Sequence, residues 1–324
     1  MDLIFADDKQ RPLVLILSGV TGAGKTELSL DLARKLNAEI IICDSMQVYA
    51  GLSVGTAAPS EEEQRLVPHH LVGSVPIGRD YSVADYVTDA LACIQEILNR
   101  DRLPMLVGGT YQYIYALSKN IDFKQTGFGR QDASYQNLEL LWDDLDNTAL
   151  HAALAERDPE AAAALHPNNR KRVLRALVAY EGTGGLTKRE RNRASRQEES
   201  PYFFRHYAVD RSPDVLDERL ARRIEHMLKI GLLDECQSLL QQEENLGHSA
   251  GQAIAYKEFL PYLRGEERLV EAAQRLLIRS RQYAKRQRTW LNKFPSAQRL
   301  LDLSNEEMLD FILEDLEKFR VSQS

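Results

Sequence analysis

Along the first third of the chain, short apolar runs alternate with stretches of helical period. Leu13–Leu17 is an unbroken apolar run of strand length, and Thr26–Leu36 reads as the helix that follows it. Glu39–Cys43 is a second strand ending in Asp44-Ser45, and Pro104–Thr110 is a third ending in a glycine turn. Between them, Val83–Asn99 carries Val87, Leu91, Ile94 and Leu98 on one helical face. Such alternation predicts an α/β fold, a parallel sheet flanked by helices. Ligands then gather beyond the C-terminal strand ends. The segments Gly19–Thr26, Asp44-Ser45 and Gly108–Thr110 should therefore meet at one site.

The pattern changes from Leu117 to Glu199, where it is helical and polar with no strand run. Leu138–Leu145, Thr148–Glu156, Pro159–Leu165 and Asn169–Tyr180 read as short helices. Tyr207–Val209 then reads as a strand returning to the sheet. Ser212-Pro213 opens a helix with Ser as N-cap and Pro at the first position, and Gly231 ends it. The remainder reads as helical, including an Arg-rich helix from Val270 to Phe294. The expected organisation is a core of residues 1–116 and 200–324 with an all-helical domain inserted at 117–199.

The apolar fraction of 44% and charged fraction of 27% are those of an ordinary globular protein. No apolar run reaches membrane-span length, and the acidic N-terminus lacks a signal-peptide pattern, so no membrane partner is expected. Cys43, Cys93 and Cys236 are far apart without a C-x-x-C pair, which argues against a disulfide framework or zinc finger and for a reducing, cytoplasmic setting. His69 and His70 have no ligand partners in view and read as loop-ordering residues. The net charge of −7 hides an uneven distribution. Asn168–Arg196 holds nine Lys or Arg against two acids, and Arg275–Lys293 holds seven against none. One such run is usually a solvated helix face. Two in an acidic chain point to a polyanionic partner.

Gly19-Val20-Thr21-Gly22-Ala23-Gly24-Lys25-Thr26 is a complete G-x-x-x-x-G-K-T phosphate loop (P-loop) between strand and helix. Its backbone N–H groups and Lys25 suit linked phosphates, and the Thr26 hydroxyl suits Mg²⁺. Alone, it fits a kinase using ATP as well as any other diphosphate chemistry. Asp44 has three readings by position: a magnesium partner through water, a turn cap, or a general base.

The surrounding motifs narrow this. After the loop come Asp44-Ser45-Met46-Gln47-Val48-Tyr49, Gly55-Thr56-Ala57, Val67-Pro68-His69-His70-Leu71, Tyr81–Tyr86 and Val107-Gly108-Gly109-Thr110. Leu165-His166-Pro167-Asn168, Arg172–Leu177, Ala253-Ile254-x-Tyr256-Lys257-Glu258 and Arg281–Gln287 follow in order. Together they span about 270 residues, and the chain resembles the tRNA dimethylallyltransferases (isopentenyl-diphosphate:tRNA transferases), in their bacterial form without a C-terminal zinc finger. The resemblance implies transfer of a dimethylallyl group from dimethylallyl diphosphate to N6 of adenosine 37 in tRNAs reading codons that begin with U. It also implies Mg²⁺, held at Thr26, and an anticodon stem-loop as partner; a monomer is expected. By the same resemblance Asp44 is the base, Thr110 hydrogen-bonds near the amine or diphosphate, and Arg223 contacts diphosphate. Asp44, Ser45, Met46, Gln47 and Thr110 would surround the target base. Contacts to tRNA fall to Lys171, Arg172, Val173, Leu174 and Arg175, to Gln252, Ala253, Ile254, Ala255, Tyr256 and Lys257, and to Arg281, Lys285 and Arg286.

A basic surface of this extent argues against the related enzymes that prenylate free adenylate, and an intact phosphate loop against a purely RNA-binding module. The chain departs from the family pattern at Val20 (usually Pro), Ala58 (usually Lys) and Tyr111-Gln112-Tyr113 (usually Gly-Leu-Tyr). Tyr135 stands where an insertion-domain arginine is common, with Arg130 as a nearby substitute.

Overall fold

β1 (Leu13–Gly19) is buried along all seven residues, as its unbroken apolar run requires for a strand covered on both faces. The computed structural model describes residues 7, 9–123, 133–195 and 199–323. β1 leads into α1 (Lys25–Leu36), and β2 (Ala38–Ile42) returns to the sheet. Next come α2 (Glu61–Leu66), the two-residue β3 (His69–His70), α3 (Val83–Leu98), β4 (Leu103–Gly108) and α4 (Tyr111–Ser118). After the helical segment the chain adds β5 (Phe203–Asp210). The strand order is β3-β2-β4-β1-β5-β6, with β6 at Gln298–Leu301, and every pairing is parallel. Register places Ser18 beside Gly108, and Ile42 beside Val107. The ends of β2, β4 and β1 are thus neighbours, which brings the three predicted loops together.

The two edge strands correct the sequence reading. β6 lies in the region expected to be wholly helical, and only Leu300 of its four residues is buried. β3 is too short to show any alternation. His70 explains its position: its Nε2 lies 2.6 Å from Oε2 of Glu39, a buried residue of β2. Burial pushes the Glu39 carboxyl up, but hydrogen bonds from Arg100, His70 and Arg102 outweigh this and hold it at about 2. These histidines therefore tie the edge of the sheet, as loop-ordering residues would.

The chain divides into a sheet unit, residues up to Tyr115 and again from Pro201, and a helical unit, Ala116–Ser200. The helical unit comprises α5 (Ala133–Asp143), α6 (Asn147–Arg157), α7 (Pro159–Ala163), α8 (Arg170–Gly182) and α9 (Lys188–Ala194). Leu150, Leu154, Val173 and Leu177 centre its own small core. α9 escaped the sequence reading because Lys-Arg-Glu-Arg-Asn-Arg-Ala has no apolar period; its signal is the capping box of Thr187 and Glu190.

The sheet unit is completed by α10 (Pro213–Lys229), α11 (Leu232–Leu240), α12 (Tyr256–Leu263), α13 (Leu269–Leu291) and α14 (Asn305–Gln323). Leu216, Leu220, Ile224 and Met227 form the buried face of α10, at the predicted spacing. Ser212 occupies its N-cap position, yet its side chain makes no capping hydrogen bond, so Pro213 alone carries the start signal. Among the described residues, no helix is long and apolar enough to cross a membrane.

Candidate active site at the C-terminal strand ends

The phosphate loop turns back through Gly24, whose φ of +101° is the left-handed region that glycine adopts without strain. α1 begins at the next residue without a side-chain cap, so its first N–H groups remain for a ligand. Lys25 Nζ donates to the carbonyls of Gly19 and Val20, at 3.0 and 2.9 Å. Burial and the neighbouring Arg223 charge lower its ammonium to about 8, against the raising influence of Asp44. An incoming anion relieves both penalties.

Outside supports hold this loop. Arg219 donates from Nε to the Gly22 carbonyl at 2.8 Å, and Arg211 from Nε to the Ala23 carbonyl at 3.0 Å. The carboxamide of Gln287, on α13, accepts from the Thr21 N–H at 2.8 Å. Sequence reasoning missed all three. Arg219 had a signal, since it lies one turn before Arg223 on the same face of α10. Arg211 had none, and Gln287 stood only as the last residue of the Arg281–Gln287 motif, with no sign of its role, because their partners are remote in the chain.

Asp44 follows β2. Its Oδ1 accepts from the N–H of Met46 at 2.9 Å, so the cap reading holds for one oxygen. Oδ2 accepts no hydrogen bond from a described residue, and is available as a base. Thr110, after β4, donates its N–H to the Cys43 carbonyl at 3.1 Å and accepts on Oγ1 from Ser45 N–H at 2.9 Å. The approach of these turns leaves no room for side chains: a Cβ on Gly108 would lie 2.0 Å from the Cys43 oxygen. Tyr283 of α13 lies against this pair, its phenol pushed up by burial and by the Asp44 charge.

Two adjoining cavities share Thr21, Asp44, Thr56 and Arg223. The larger, about 620 Å³, is lined by the phosphate loop and by Lys25, Arg219, Arg222 and Arg223. The smaller, about 270 Å³, has an apolar floor of Leu220, Ile224, Met227, Ile254 and Leu276. One end therefore suits phosphate and the other a small hydrocarbon, with Asp44 at the junction. Arg223, expected on diphosphate, faces this junction and donates to the Thr56 carbonyl at 2.9 Å. Gln47 donates to the same carbonyl at 3.1 Å. Thr26 lies on the rim of the larger cavity. Among the described residues no group of three or more His, Cys, Asp or Glu could hold a metal. Magnesium bound chiefly by phosphate and water needs only one or two protein oxygens, so the Thr26 hydroxyl fits that donor set.

The structure sorts the residues expected on RNA. Lys171, Arg172 and Arg175 are exposed on α8, but Val173 and Leu174 are buried in the core of the helical unit. Their side chains pack against α6 and α7 neighbours, so an RNA contact at these two positions would fall to the backbone. Ala253, Ala255 and Tyr256 are likewise buried; Ile254 lines the smaller cavity, and Gln252 and Lys257 are exposed and paired to each other. On α13, Lys285 and Arg286 are exposed, whereas Arg281 already pairs with Asp217 at 2.8 Å. Of the departures, Val20 is fully buried, Tyr111 accepts from Ser18, and Tyr113 stacks on Tyr86 at 4.0 Å. Arg130 and the side chain of Tyr135 lie outside the described residues.

Known proteins match this geometry over most of the chain. The chain is 42% identical to the tRNA dimethylallyltransferase of Bacillus velezensis, over 89% of this chain and 90% of that one. It resembles the crystal structure of tRNA delta(2)-isopentenylpyrophosphate transferase from Staphylococcus epidermidis, with TM-score 0.68, 35% identity, and 95% and 99% of the two chains covered. A eukaryotic dimethylallyltransferase described as acting on tRNA gives TM-score 0.76 at 29% identity, over 89% of this chain and 73% of that one. The family model for IPP transferase matches residues 47–294, which includes Gln47, Thr110, Arg223 and all of α13, and the chain belongs to that family.

Proposed function

We propose that this protein transfers the dimethylallyl group of dimethylallyl diphosphate to N6 of adenosine 37 in tRNAs that read codons beginning with U. The observation that carries the reading is the junction of a cationic phosphate cavity and an apolar one at Asp44. In the reaction the N6–C1 bond forms and the C1–O bond breaks, its electron pair leaving with diphosphate. Lys25, Arg223 and the loop N–H groups stabilise that leaving charge. Asp44 takes the N6 proton through Oδ2, while the Oδ1 contact to Met46 holds the carboxylate in place. Thr26 would hold magnesium together with the phosphates, where the ion would offset negative charge on the leaving diphosphate. The target adenine must leave its stack to reach this depth, at a cost on the order of a few kcal/mol. Unstacked loop bases are the usual object of sequence-specific RNA recognition, which suits an anticodon loop. The reaction as read calls on no second copy, so we take a monomer as the working form, and the free thiols of Cys43, Cys93 and Cys236 suit a reducing cytoplasm.

The test is transfer of labelled dimethylallyl to a stem-loop containing three consecutive adenosines at positions 36 to 38. Asp44→Ala is expected to lower the single-turnover rate by at least about 10³-fold, within the usual 10²–10⁴ worth of a general base, and to leave stem-loop affinity within severalfold. An unchanged rate removes Asp44 as the base, and tight ATP binding with none of dimethylallyl diphosphate removes the reading altogether.

A further inference from the structure

Gln287 is a polar residue in an apolar row. The inward face of α13 runs Ala272, Leu276, Ser280, Ala284, Gln287 and Leu291, and Gln287 is only 4% exposed. A buried carboxamide is costly unless both its ends are satisfied. Here both are, by the two loops that carry the chemistry. Oε1 accepts from the Thr21 N–H of the phosphate loop at 2.8 Å, and Nε2 donates to the Gly109 carbonyl at 3.0 Å. The partners fix the orientation of the amide, because a flipped carboxamide would face donor with donor and acceptor with acceptor. Gly109 is needed for the approach: a Cβ there would lie 2.1 Å from Nε2.

The bridge sits between the two halves of the reaction. Thr21 belongs to the clamp for the leaving diphosphate, and Gly109 precedes Thr110, which holds the Asp44-Ser45 turn through Ser45 N–H. The same helix lines the smaller cavity with Tyr283, one turn earlier, and with the adjacent Arg286, and Lys285 and Arg286 are also exposed to solvent. A second link runs in parallel: Arg288 binds Asp210 and the Arg211 carbonyl, and Arg211 binds Ala23 of the loop. α13 is therefore hydrogen-bonded to the phosphate loop directly and through one intermediary.

Resting on the prenyl-transfer reading above, we infer that Gln287 is a positioning residue, which sets the phosphate loop against the Gly109–Thr110 turn and couples RNA contact on the outer face of α13 to the grip on the allylic diphosphate. Coupling of this kind is reciprocal, so it is measurable from the diphosphate side. Gln287→Met removes both hydrogen bonds at similar volume. Gln287→Glu keeps an acceptor for Thr21 N–H and loses the donor to Gly109. Each is compared with wild type for the saturated single-turnover rate, KM for dimethylallyl diphosphate, Kd for a stem-loop, and thermal midpoint. Affinity for dimethylallyl diphosphate is also measured with and without a stem-loop carrying inosine at the target position, which has no amine to react.

The expected result in wild type is a severalfold tightening of diphosphate binding by the inosine stem-loop. In Gln287→Met this factor falls to within twofold of one, and the saturated rate falls at least tenfold while RNA Kd stays within threefold. Gln287→Glu, which sets a carboxylate oxygen against the Gly109 carbonyl and a negative charge beside the diphosphate clamp, should lose at least as much rate as Gln287→Met. A rate within twofold of wild type, an unchanged coupling factor, or a rate loss matched by equal loss of RNA affinity and of thermal midpoint overturns the inference. A wild-type protein that transfers no prenyl group to any stem-loop overturns the reading beneath it instead.

Discussion

Helices α8 and α13 are written in the same basic vocabulary, yet their cations have different fates. On α8, Lys171, Arg172 and Arg175 are exposed and make no ion pair with any described residue, while the neighbouring Val173 and Leu174 fill the core of the helical unit. On α13 most of the arginines are committed inside the sheet unit. Arg275 pairs with Glu267, Arg281 with Asp217, and Arg288 with Asp210 and the Arg211 carbonyl, at 2.9 and 2.6 Å for its Nη2. Lys285 and Arg286 remain exposed. A basic run is thus not one kind of object. On α8 it is a surface ready for phosphate, and on α13 it is largely tied into the sheet unit, with Arg288 reaching the phosphate loop through Arg211 and a narrow cationic edge left exposed.

The largest effect that could break this contrast is on stability. Arg288→Ala should cost roughly 2 kcal/mol, the order expected when half-buried, charge-assisted hydrogen bonds are removed. Urea unfolding would measure it, and a loss under about 0.5 kcal/mol would make α13 as superficial as α8. Next in size, Arg172→Ala with Arg175→Ala should weaken stem-loop binding about tenfold, or ~1.4 kcal/mol. Those changes should leave urea stability within about 0.5 kcal/mol. The slope of log K against log salt should become shallower by about 1.4 for two lost phosphate contacts to single-stranded RNA. An unaltered slope would take α8 out of the RNA interface.

The smallest effect separates the two units by pH. Lys25 loses its proton near 8 in the free protein, and a bound anion favours its charged form. Below pH 8 the affinity for dimethylallyl diphosphate should therefore be level. Above it, binding must take up a proton, and affinity should fall about fivefold from pH 8 to 9. Guanidinium groups keep their charge over this range, so stem-loop affinity should show no matching break. Calorimetry in two buffers of different ionisation enthalpy would report the proton uptake, and its absence at pH 9 would show that Lys25 is already neutralised or not engaged.

The contrast also shows where reading a sequence succeeds. β1, β2, β4, α1 and the apolar face of α10 were legible because each is a local pattern whose period alone demands burial. β6 was not, since an edge strand with one buried residue in four carries almost no pattern. The stretch Lys171–Arg175 was legible as a motif but not as a surface. Motif letters record order along the chain, whereas the packing of α8 on α6 decides that Arg172 faces out and Leu174 faces in. Arg223 lay in the same gap. By spacing alone it is one arginine among several on α10; the family resemblance singled it out, and the fold turns it to the junction of the two cavities.

What the sequence determined by itself is the phosphate loop, the parallel sheet that presents it, and the convergence of Asp44 and Thr110 at neighbouring strand ends. All of these follow from local runs and from the rule that parallel strands deliver their loops to one edge. Only the tertiary structure decided which basic side chains are free and which are bound, and that Gln287 joins two loops separated from it by 266 and 178 residues. The reason is physical: a charge or an amide acquires its role from the group it meets, and that group is set by long-range packing that no period in the chain encodes.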